Sequence, residues 1–303
     1  TEIYTLSLHD ALPISEQLRE ENIRLHVGHG YDGQMYHYIA HDPFIVRGFL
    51  GSIDDARFRY RRILVPLAAW TLSFGRDAFI DTAYYGVILA FVFLGVYWLA
   101  MLASAWGRSP ALGLLFLLSP ATIISIDRMT VDVAAAALTL AVLHFFNERR
   151  TLSLWFSAAA AGLSRESALV VPLALAAYSY WQHRGFRQPA LLASAALPAA
   201  AWSLYVAAHT PASAVEAGTL IPFRYFIGRV IDPFDYTLPP FWLNVTRGGD
   251  LLCLAGMALC VWYAAARWPE IKALSGGWAL MAWVVFFAFV GHAPMWTDPY
   301  NYG

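Results

Sequence analysis

The sequence predicts an all-α, polytopic membrane protein. Of the 303 residues, 59% are hydrophobic and only 14% are charged, and the mean hydropathy is +0.50. A soluble domain carries roughly 25% charged residues, so this chain cannot cover a water-facing surface in the usual way. A membrane-spanning helix needs about 20 largely apolar residues, and four runs lack any Asp, Glu, Lys or Arg: 82–107, 109–126, 188–215 and 273–297.

The apolar segments predict about eight membrane-spanning helices in a bundle that occupies residues 82–303. The Ser-Arg-Glu-Ser break that starts at Ser164 is the weakest boundary between them. Residues 209–250 contain several prolines and many aromatic side chains, which predicts a long external loop packed on the membrane face. The predicted spans are 82–106, 110–126, 129–147, 151–164, 167–182, 189–208, 251–266 and 275–292.

Residues 16–81 are predicted to form an external loop before the bundle. Residues 16–62 are polar and rich in His, Tyr and Arg, whereas 63–75 are apolar but too short to span, which suits a helix lying in the membrane interface. Residues 1–15 resemble a translated sequencing-adapter tail, and the other end stops without a closing helix. We therefore expect a fragment cut at both ends.

The charges of the short loops predict the orientation. Alternate loops carry seven basic residues, whereas the opposite loops carry only Arg128 and Arg165. The positive-inside rule places the first set in the cytoplasm and residues 16–81 outside. If 63–75 crossed the membrane, the amino-terminal loop would change sides, and the Arg-rich stretch 47–62 favours that alternative. The seven are Arg108, Arg149, Arg150, Arg184, Arg187, Arg267 and Lys272.

Several functions are excluded by composition. The 20 basic residues include a single lysine, Lys272, and no Gly-Lys-Ser/Thr occurs, so a Walker A nucleotide site is absent from the sequence. The net charge is −1, so no bulk field attracts nucleic acid. The two cysteines, Cys253 and Cys260, lie seven apart in an apolar segment and are interpreted as helix packing residues.

Unusual polar groups converge on the external face in this topology. Charges near membrane depth are costly and usually face a cavity or each other, although each group also has an ordinary interpretation as a loop ion pair, a helix cap or a snorkelling arginine. The candidate substrate-binding or phosphate-binding residues are Tyr31, Gln34, Arg59, Arg61, Arg62, Asp127, Arg128, Asp132, Arg165 and Glu166, with Asp54, Asp55 and Asp298 predicted on the same face.

Asp32 lies in the turn Gly30-Tyr31-Asp32-Gly33 before a segment that reads as a helix. Asp32 can cap that helix. Alternatively, its carboxylate can point from the start of the helix toward a substrate hydroxyl. His37 and His41 have the i,i+4 spacing of a metal-binding pair, but no third ligand is evident. His29 or Asp42 would serve only if the backbone folded back. We therefore predict no cofactor, with a divalent metal as the alternative.

These motifs and their order resemble bacterial membrane glycosyltransferases of the GT-C superfamily, including mannosyltransferase-like members. The motifs are Tyr-Asp-Gly-x-x-Tyr from Tyr31, Val65-Pro66-Leu67 in an interfacial helix, Gly107-Arg108, Leu118-Ser-Pro120, a helix start near Asp132, and Ser164-Arg-Glu166. They are short, and they are distributed over residues 28–303.

The resemblance implies an inverting transfer of a sugar from a polyprenyl-phosphate donor to a glycan, lipid or protein acceptor. It implies Asp32 as the general base and an active site at the external face of a bacterial inner membrane. The arginines fit a phosphate group, which an Arg side chain binds with a planar fork, although a GC-rich genome also favours Arg over Lys. The alternatives are a flippase or transporter of lipid-linked sugars and a non-catalytic subunit of an envelope polysaccharide assembly.

Overall fold

The computed structural model of the chain describes residues 32–213, 220–231 and 240–289, and every regular element in these ranges is helical. The predicted all-α class is confirmed. The chain divides into two compact units. The first comprises the described residues of Thr1–Leu138, Ala160–Glu166 and Pro198–Ser213, and the second those of Thr139–Ala159, Ser167–Leu197 and Ala214–Gly303.

The described residues form α-helices and 3₁₀ segments. Three 3₁₀ segments, Phe49–Ser52, Pro110–Leu118 and Glu166–Leu169, lie between the α-helices. In chain order the α-helices are α1 Asp32–His41, α2 Ala56–Tyr60, α3 Leu64–Leu72, α4 Asp77–Ala105, α5 Pro120–Arg128, α6 Asp132–Asn147, α7 Thr151–Ser164, α8 Val170–His183, α9 Arg187–Ser194, α10 Leu197–His209, α11 Arg224–Ile231, α12 Pro240–Ala266, α13 Trp268–Ile271 and α14 Ser275–Phe289.

Helix α4 is the longest helix among the described residues, and its two ends show why it starts and stops where it does. Asp77 in its first turn places a carboxylate at the positive end of the helix dipole. At the other end Gly107 adopts a positive φ of 68°, a conformation that glycine accepts without strain. The N–H of Arg108 donates to Ala103 O and that of Gly107 to Ser104 O, which is the Schellman pattern of helix termination.

The segment after α4 is bent. The 3₁₀ segment Pro110–Leu118 packs against α4, where a Cβ at Gly113 would lie only 2.5 Å from Val96 O. Ser119 then caps α5 by accepting a hydrogen bond from Thr122 N, with Pro120 in the first turn. The two pieces meet at an angle of 53°, so the predicted span 110–126 is a broken element.

Each unit has its own apolar core. In the first unit the completely buried large side chains include Tyr36, Ile39, Tyr60, Ile63, Ile80 and Tyr84. In the second unit the core contains side chains from α6, α7, α8, α9 and α14, namely Val142, Leu154, Val171, Leu175, Leu192 and Ala279. The second unit also holds an apolar cavity of about 340 Å³ between α11, α12 and α14, lined by Phe223, Phe226, Ile227, Ala258, Val261, Trp262 and Phe287.

The prediction of about eight spans is wrong for the described residues. Three helical segments are long and apolar enough to cross a membrane, namely Asp77–Ala105, Arg187–His209 and Leu243–Ala266, and the bent pair 110–128 makes up to four. The helices α6, α7 and α14 are apolar but contain 16, 14 and 15 residues. A helix rises 1.5 Å per residue, so they fall short of a hydrocarbon core of about 30 Å. The sequence prediction counted apolar segments as spans even where, as at 151–164, they are too short to cross the bilayer.

Two other boundaries also differ. The predicted loop 209–250 contains α11, and α12 begins already at Pro240. Ser164 ends α7 and does not start a helix, since its hydroxyl donates to Ala161 O. The predicted short helix in 63–75 is present as α3. Residues 1–15, the region around Asp298 and part of the loop 209–250 lie outside the described residues.

Candidate functional site

Helix α1 carries the Tyr-Asp-Gly-x-x-Tyr motif and packs closely on the end of α5. A Cβ at Gly33 would lie 1.5 Å from the carbonyl oxygen of Arg128, so the position accepts only a hydrogen atom. Tyr84 of α4 supports the same turn, because its hydroxyl donates to Met129 O at 2.9 Å. Asp32 is the first residue of α1, and its side chain and Tyr31 lie outside the described residues.

Arg62 is the centre of a charged cluster that draws on three separate parts of the chain. Its Nη1 donates to the hydroxyl of Tyr36 at 2.7 Å, and its Nε donates to Glu166 Oε2 at 3.4 Å. The guanidinium also lies over the Phe58 ring, 4.1 Å from its centroid. The Arg62 side chain is 8% exposed and that of Glu166 is 38% exposed.

The cluster keeps Arg62 charged. Burial lowers the pKa of Arg62, but the nearby Tyr36, Glu166 and Asp132 more than offset that effect and raise the pKa above its ordinary value. Asp132, at the start of α6, forms an ion pair with Arg165, which directly precedes Glu166. The two ion pairs therefore lie side by side.

Arg59 adds a second buried cation to the same cluster. Its Nε and Nη2 each donate to one carboxylate oxygen of Asp54 at 3.0 Å, a fork-shaped ion pair. Its guanidinium also approaches the Tyr36 ring, 5.6 Å from the centroid. Tyr36 thus contacts both buried arginines, with its hydroxyl toward Arg62 and its ring face toward Arg59.

Three buried polar atoms of this region have no hydrogen-bond partner among the described residues: Tyr60 Oη, Arg61 Nε and Glu166 Oε1. Burial raises the pKa of Tyr60, so its hydroxyl keeps its proton. An unsatisfied buried polar atom costs about 1–3 kcal/mol. In native proteins such an atom usually has a bound water, ion or ligand as its partner.

Other polar residues that the sequence placed at the predicted site make different contacts. Asp127 and Arg128 form an ion pair with each other at 2.8 Å, and their side chains are 63% and 44% exposed, as in surface pairs that contribute little to stability. Gln34 Nε2 donates to the hydroxyl of Tyr38 within α1. Asp55 accepts from Phe58 N and Ser213 Oγ and so caps α2.

A separate group joins α1 to the start of α4. His37 contacts Asp81 through Nε2, and His41 Nδ1 lies 2.8 Å from Asp77 Oδ1. Burial lowers the pKa of His41, and the neighbouring His37 adds to this effect. One nitrogen from each histidine and one oxygen of Asp81 all lie within 4.8 Å of one another.

Asp81, the third candidate metal ligand, could not be found from the sequence. The sequence offered His29 or Asp42, but His29 lies outside the described residues, and Asp42 accepts from the backbone N–H groups of Val46 and Arg47. Asp81 is 44 residues from His37. The one signal was that Asp77 and Asp81 share the i,i+4 spacing of the two histidines.

Comparison of the chain with protein-family models, with curated protein sequences and with solved structures found no match.

Proposed function

We propose that the chain is an integral-membrane glycosyltransferase of the GT-C type, which transfers a sugar from a polyprenyl-phosphate donor to an envelope glycan, lipid or protein acceptor. The observation that carries the proposal is the charged cluster around Arg62, with its unpaired buried atoms on Arg61 and Glu166. The order of motifs in the sequence supplies the reaction type.

The cluster has the chemistry that a lipid phosphate requires. Arg59 and Arg62 are buried, and each is held by carboxylate and aromatic partners, so neither needs to reorganise when an anion arrives. Preorganised positive charge stabilises a leaving phosphate more effectively than mobile solvent does. The adjacent Arg61 presents a buried Nε that donates to no described group.

Asp32 is the proposed general base. It starts the helix that also carries Tyr36, the partner of Arg62. Because α1 is fixed on Arg128 through Gly33, the start of the helix has a defined place beside the turn that leads to Asp132. A positioned carboxylate that removes the acceptor proton typically contributes 10²–10⁴-fold to the rate.

Arg61→Gln is the sharpest test of donor binding. Arg62→Gln would remove the ion-pair partner of Glu166, so a folding defect could not be told from a binding defect. Arg61 Nε, in contrast, donates no hydrogen bond to a described residue. We expect Arg61→Gln to fold normally and to raise the KM for the lipid donor about tenfold or more, as for a lost charge-assisted hydrogen bond. Arg76→Gln, an exposed arginine at the start of α4, is the matched control.

The assay measures the transfer of radiolabelled sugar to acceptors in a membrane extract, catalysed by the purified protein. The donor is polyprenyl-phosphate-linked mannose in one experiment and polyprenyl-phosphate-linked glucose in another. Donor-dependent transfer that is weakened by Arg61→Gln and not by Arg76→Gln would support the proposal. A folded protein that transfers neither sugar, or that moves the intact lipid donor across a vesicle bilayer, would contradict it and would favour the transporter.

A further inference from the structure

We propose that His37, His41 and Asp81 bind a divalent transition metal, of which Zn²⁺ is the first candidate, at the junction of α1 and α4. The inference does not depend on the proposed function, because it concerns a different set of side chains and is measured by metal content.

The geometry arises from two i,i+4 pairs that face each other. His37 and His41 lie one turn apart on α1, with ring centroids 4.9 Å apart, and Asp77 and Asp81 lie one turn apart on α4. Residues four apart share a helix face. The packing of the two helices therefore places two imidazoles opposite two carboxylates.

The ligand atoms are close enough to share one ion. A zinc ion about 2.0–2.1 Å from each ligand needs those ligands roughly 3.4 Å apart in a tetrahedral site. The three atoms lie within 4.8 Å of one another. His37 Nε2 and Asp81 Oδ1 contact each other directly, so a bound ion would replace that contact and would need side-chain rotations that move these two atoms apart. The side chains of His37 and His41 are only 19% and 18% exposed, whereas that of Asp81 is 44% exposed, so the site is buried on its histidine side and open to solvent on its carboxylate side.

Asp77 completes a pattern that is typical of metal-binding histidines. Such a histidine usually donates its other ring N–H to a carboxylate, which fixes the tautomer and the orientation of the ring. Here His41 Nδ1 lies 2.8 Å from Asp77 Oδ1, and that carboxylate is itself held by Arg47 through two bonds of 2.7 Å. With Nδ1 donating to Asp77, the Nε2 lone pair of His41 is left for the metal.

The local charge also favours a cation. Asp77 and Asp81 contribute two negative charges, and Arg47 offsets one of them through its ion pair with Asp77. A bound metal ion can balance the second. Two imidazoles and one carboxylate suit Zn²⁺ and other first-row divalent ions and do not suit Ca²⁺ or Mg²⁺, which prefer oxygen ligands.

The site would join the helix that carries Asp32 and Tyr36 to the first turns of the long apolar helix α4. A metal here would fix α1 in place, since binding energy for a site formed only in the folded state adds to folding stability. Three protein ligands leave a fourth position for water, so the same ion could also bind an oxygen ligand.

The test is metal content and binding of Zn²⁺ by the purified protein, with a purification tag free of histidine. We expect about one zinc per chain after dialysis, a rise in melting temperature on adding Zn²⁺, and visible ligand-field bands of a four-coordinate site when Co²⁺ replaces it. His37→Gln and Asp81→Asn should each abolish stoichiometric binding. Asp77→Asn should keep the ligands but weaken affinity about 10–100-fold.

His183→Gln, which removes an exposed histidine at the end of α8, controls for adventitious surface binding and should change nothing. Zinc that is lost on dialysis, or that binds His37→Gln as well as it binds His183→Gln, would overturn the proposal and leave an ordinary histidine–aspartate hydrogen bond. The Co²⁺ spectrum of the unmodified protein needs no variant to fold, and the absence of four-coordinate bands would overturn the proposal on its own.

Discussion

At Arg62, burial, ion pairing and ring stacking act on one guanidinium. A buried charge is costly unless it is paired and hydrogen-bonded, and here the partners come from α1 and from the residues after α7. Removing Glu166 would leave the buried Arg62 charge without its ion pair, which is more damaging than the loss of one neutral contact. The cluster therefore fixes the fold of the first unit as well as a candidate site.

Asp32→Asn separates the two interpretations of Asp32. Asparagine keeps the size and a hydrogen-bond acceptor but removes the basic carboxylate. If Asp32 is the general base, transfer activity should fall by roughly 10²-fold or more, with folded protein and donor binding preserved. Turnover with a saturating lipid donor is the measurement, and membrane expression is the folding control.

The cap interpretation of Asp32 expects a different result. Asn caps a helix about as well as Asp, so a cap would leave both activity and melting temperature near those of the unmodified protein. The next carboxylate to test would then be Asp54, since the contacts of Asp55 with Phe58 N and Ser213 already assign it to capping α2.

Gly33→Ala should destabilise the first unit, although alanine favours a helix over glycine by about 1 kcal/mol. The new Cβ would overlap the carbonyl oxygen of Arg128, which is backbone and cannot rotate away. Forcing α1 outward should cost about 1–3 kcal/mol, as in other overpacked sites. The melting temperature of the purified protein in detergent measures the effect.

Gly86→Ala provides the matched control, because a Cβ at Gly86, also in a helix, would meet no heavy atom within 4 Å. It should leave the melting temperature unchanged or slightly higher. Equal melting temperatures for the two variants would show that α1 does not pack on α5 in this way.

At the scale of elements, Arg57 ties the end of α10 to helix α2. Its Nη2 donates to the carbonyl oxygens of Ala207 and Thr210 at 2.9 and 2.7 Å, and its Nε donates to Thr210 Oγ1. The last carbonyl groups of a helix have no partner within it, and an arginine can supply one.

Arg57→Ala should therefore loosen the end of α10. Hydrogen bonds from a charged donor contribute about 1.5–3 kcal/mol, so amide hydrogen exchange in 205–213 should become about tenfold faster or more. Arg76→Ala, which removes an exposed arginine, should leave those amides unchanged. Unaltered exchange in Arg57→Ala would mean that α10 is held by other contacts, such as the bond from Trp202 Nε1 to Tyr60 O.

At the scale of the whole molecule, the orientation predicted from loop charges can be tested by labelling single cysteines in a background without Cys253 and Cys260. Val46 and Phe186 are 77% and 71% exposed, so a failure to react would not be due to burial. We expect Val46→Cys to react with a membrane-impermeant reagent added to intact cells and Phe186→Cys to react only after lysis. The reverse pattern would place the amino-terminal loop in the cytoplasm.

The sequence by itself determined the class of the molecule. Low charge content and long uncharged runs predict helices, because in an apolar environment every backbone polar group must be paired within its own segment. The same reading recovered local features that depend on neighbouring residues, such as the short helix in 63–75 and the stop at Gly107. It also singled out Arg59, Arg62, Asp132, Arg165 and Glu166, because charges are rare in such a chain.

Only the tertiary structure decided which of these charges meet. Hydropathy cannot show that Arg62 pairs with Glu166, 104 residues away, or that Asp127 and Arg128 remain a half-exposed pair. It overcounted the spans because apolar segments too short to cross a bilayer, such as the 14-residue helix α7, were counted as spans. It also missed Asp81, since a metal-ligand set split between two helices is created by their packing, and the spacing within either helix alone specifies only half of it.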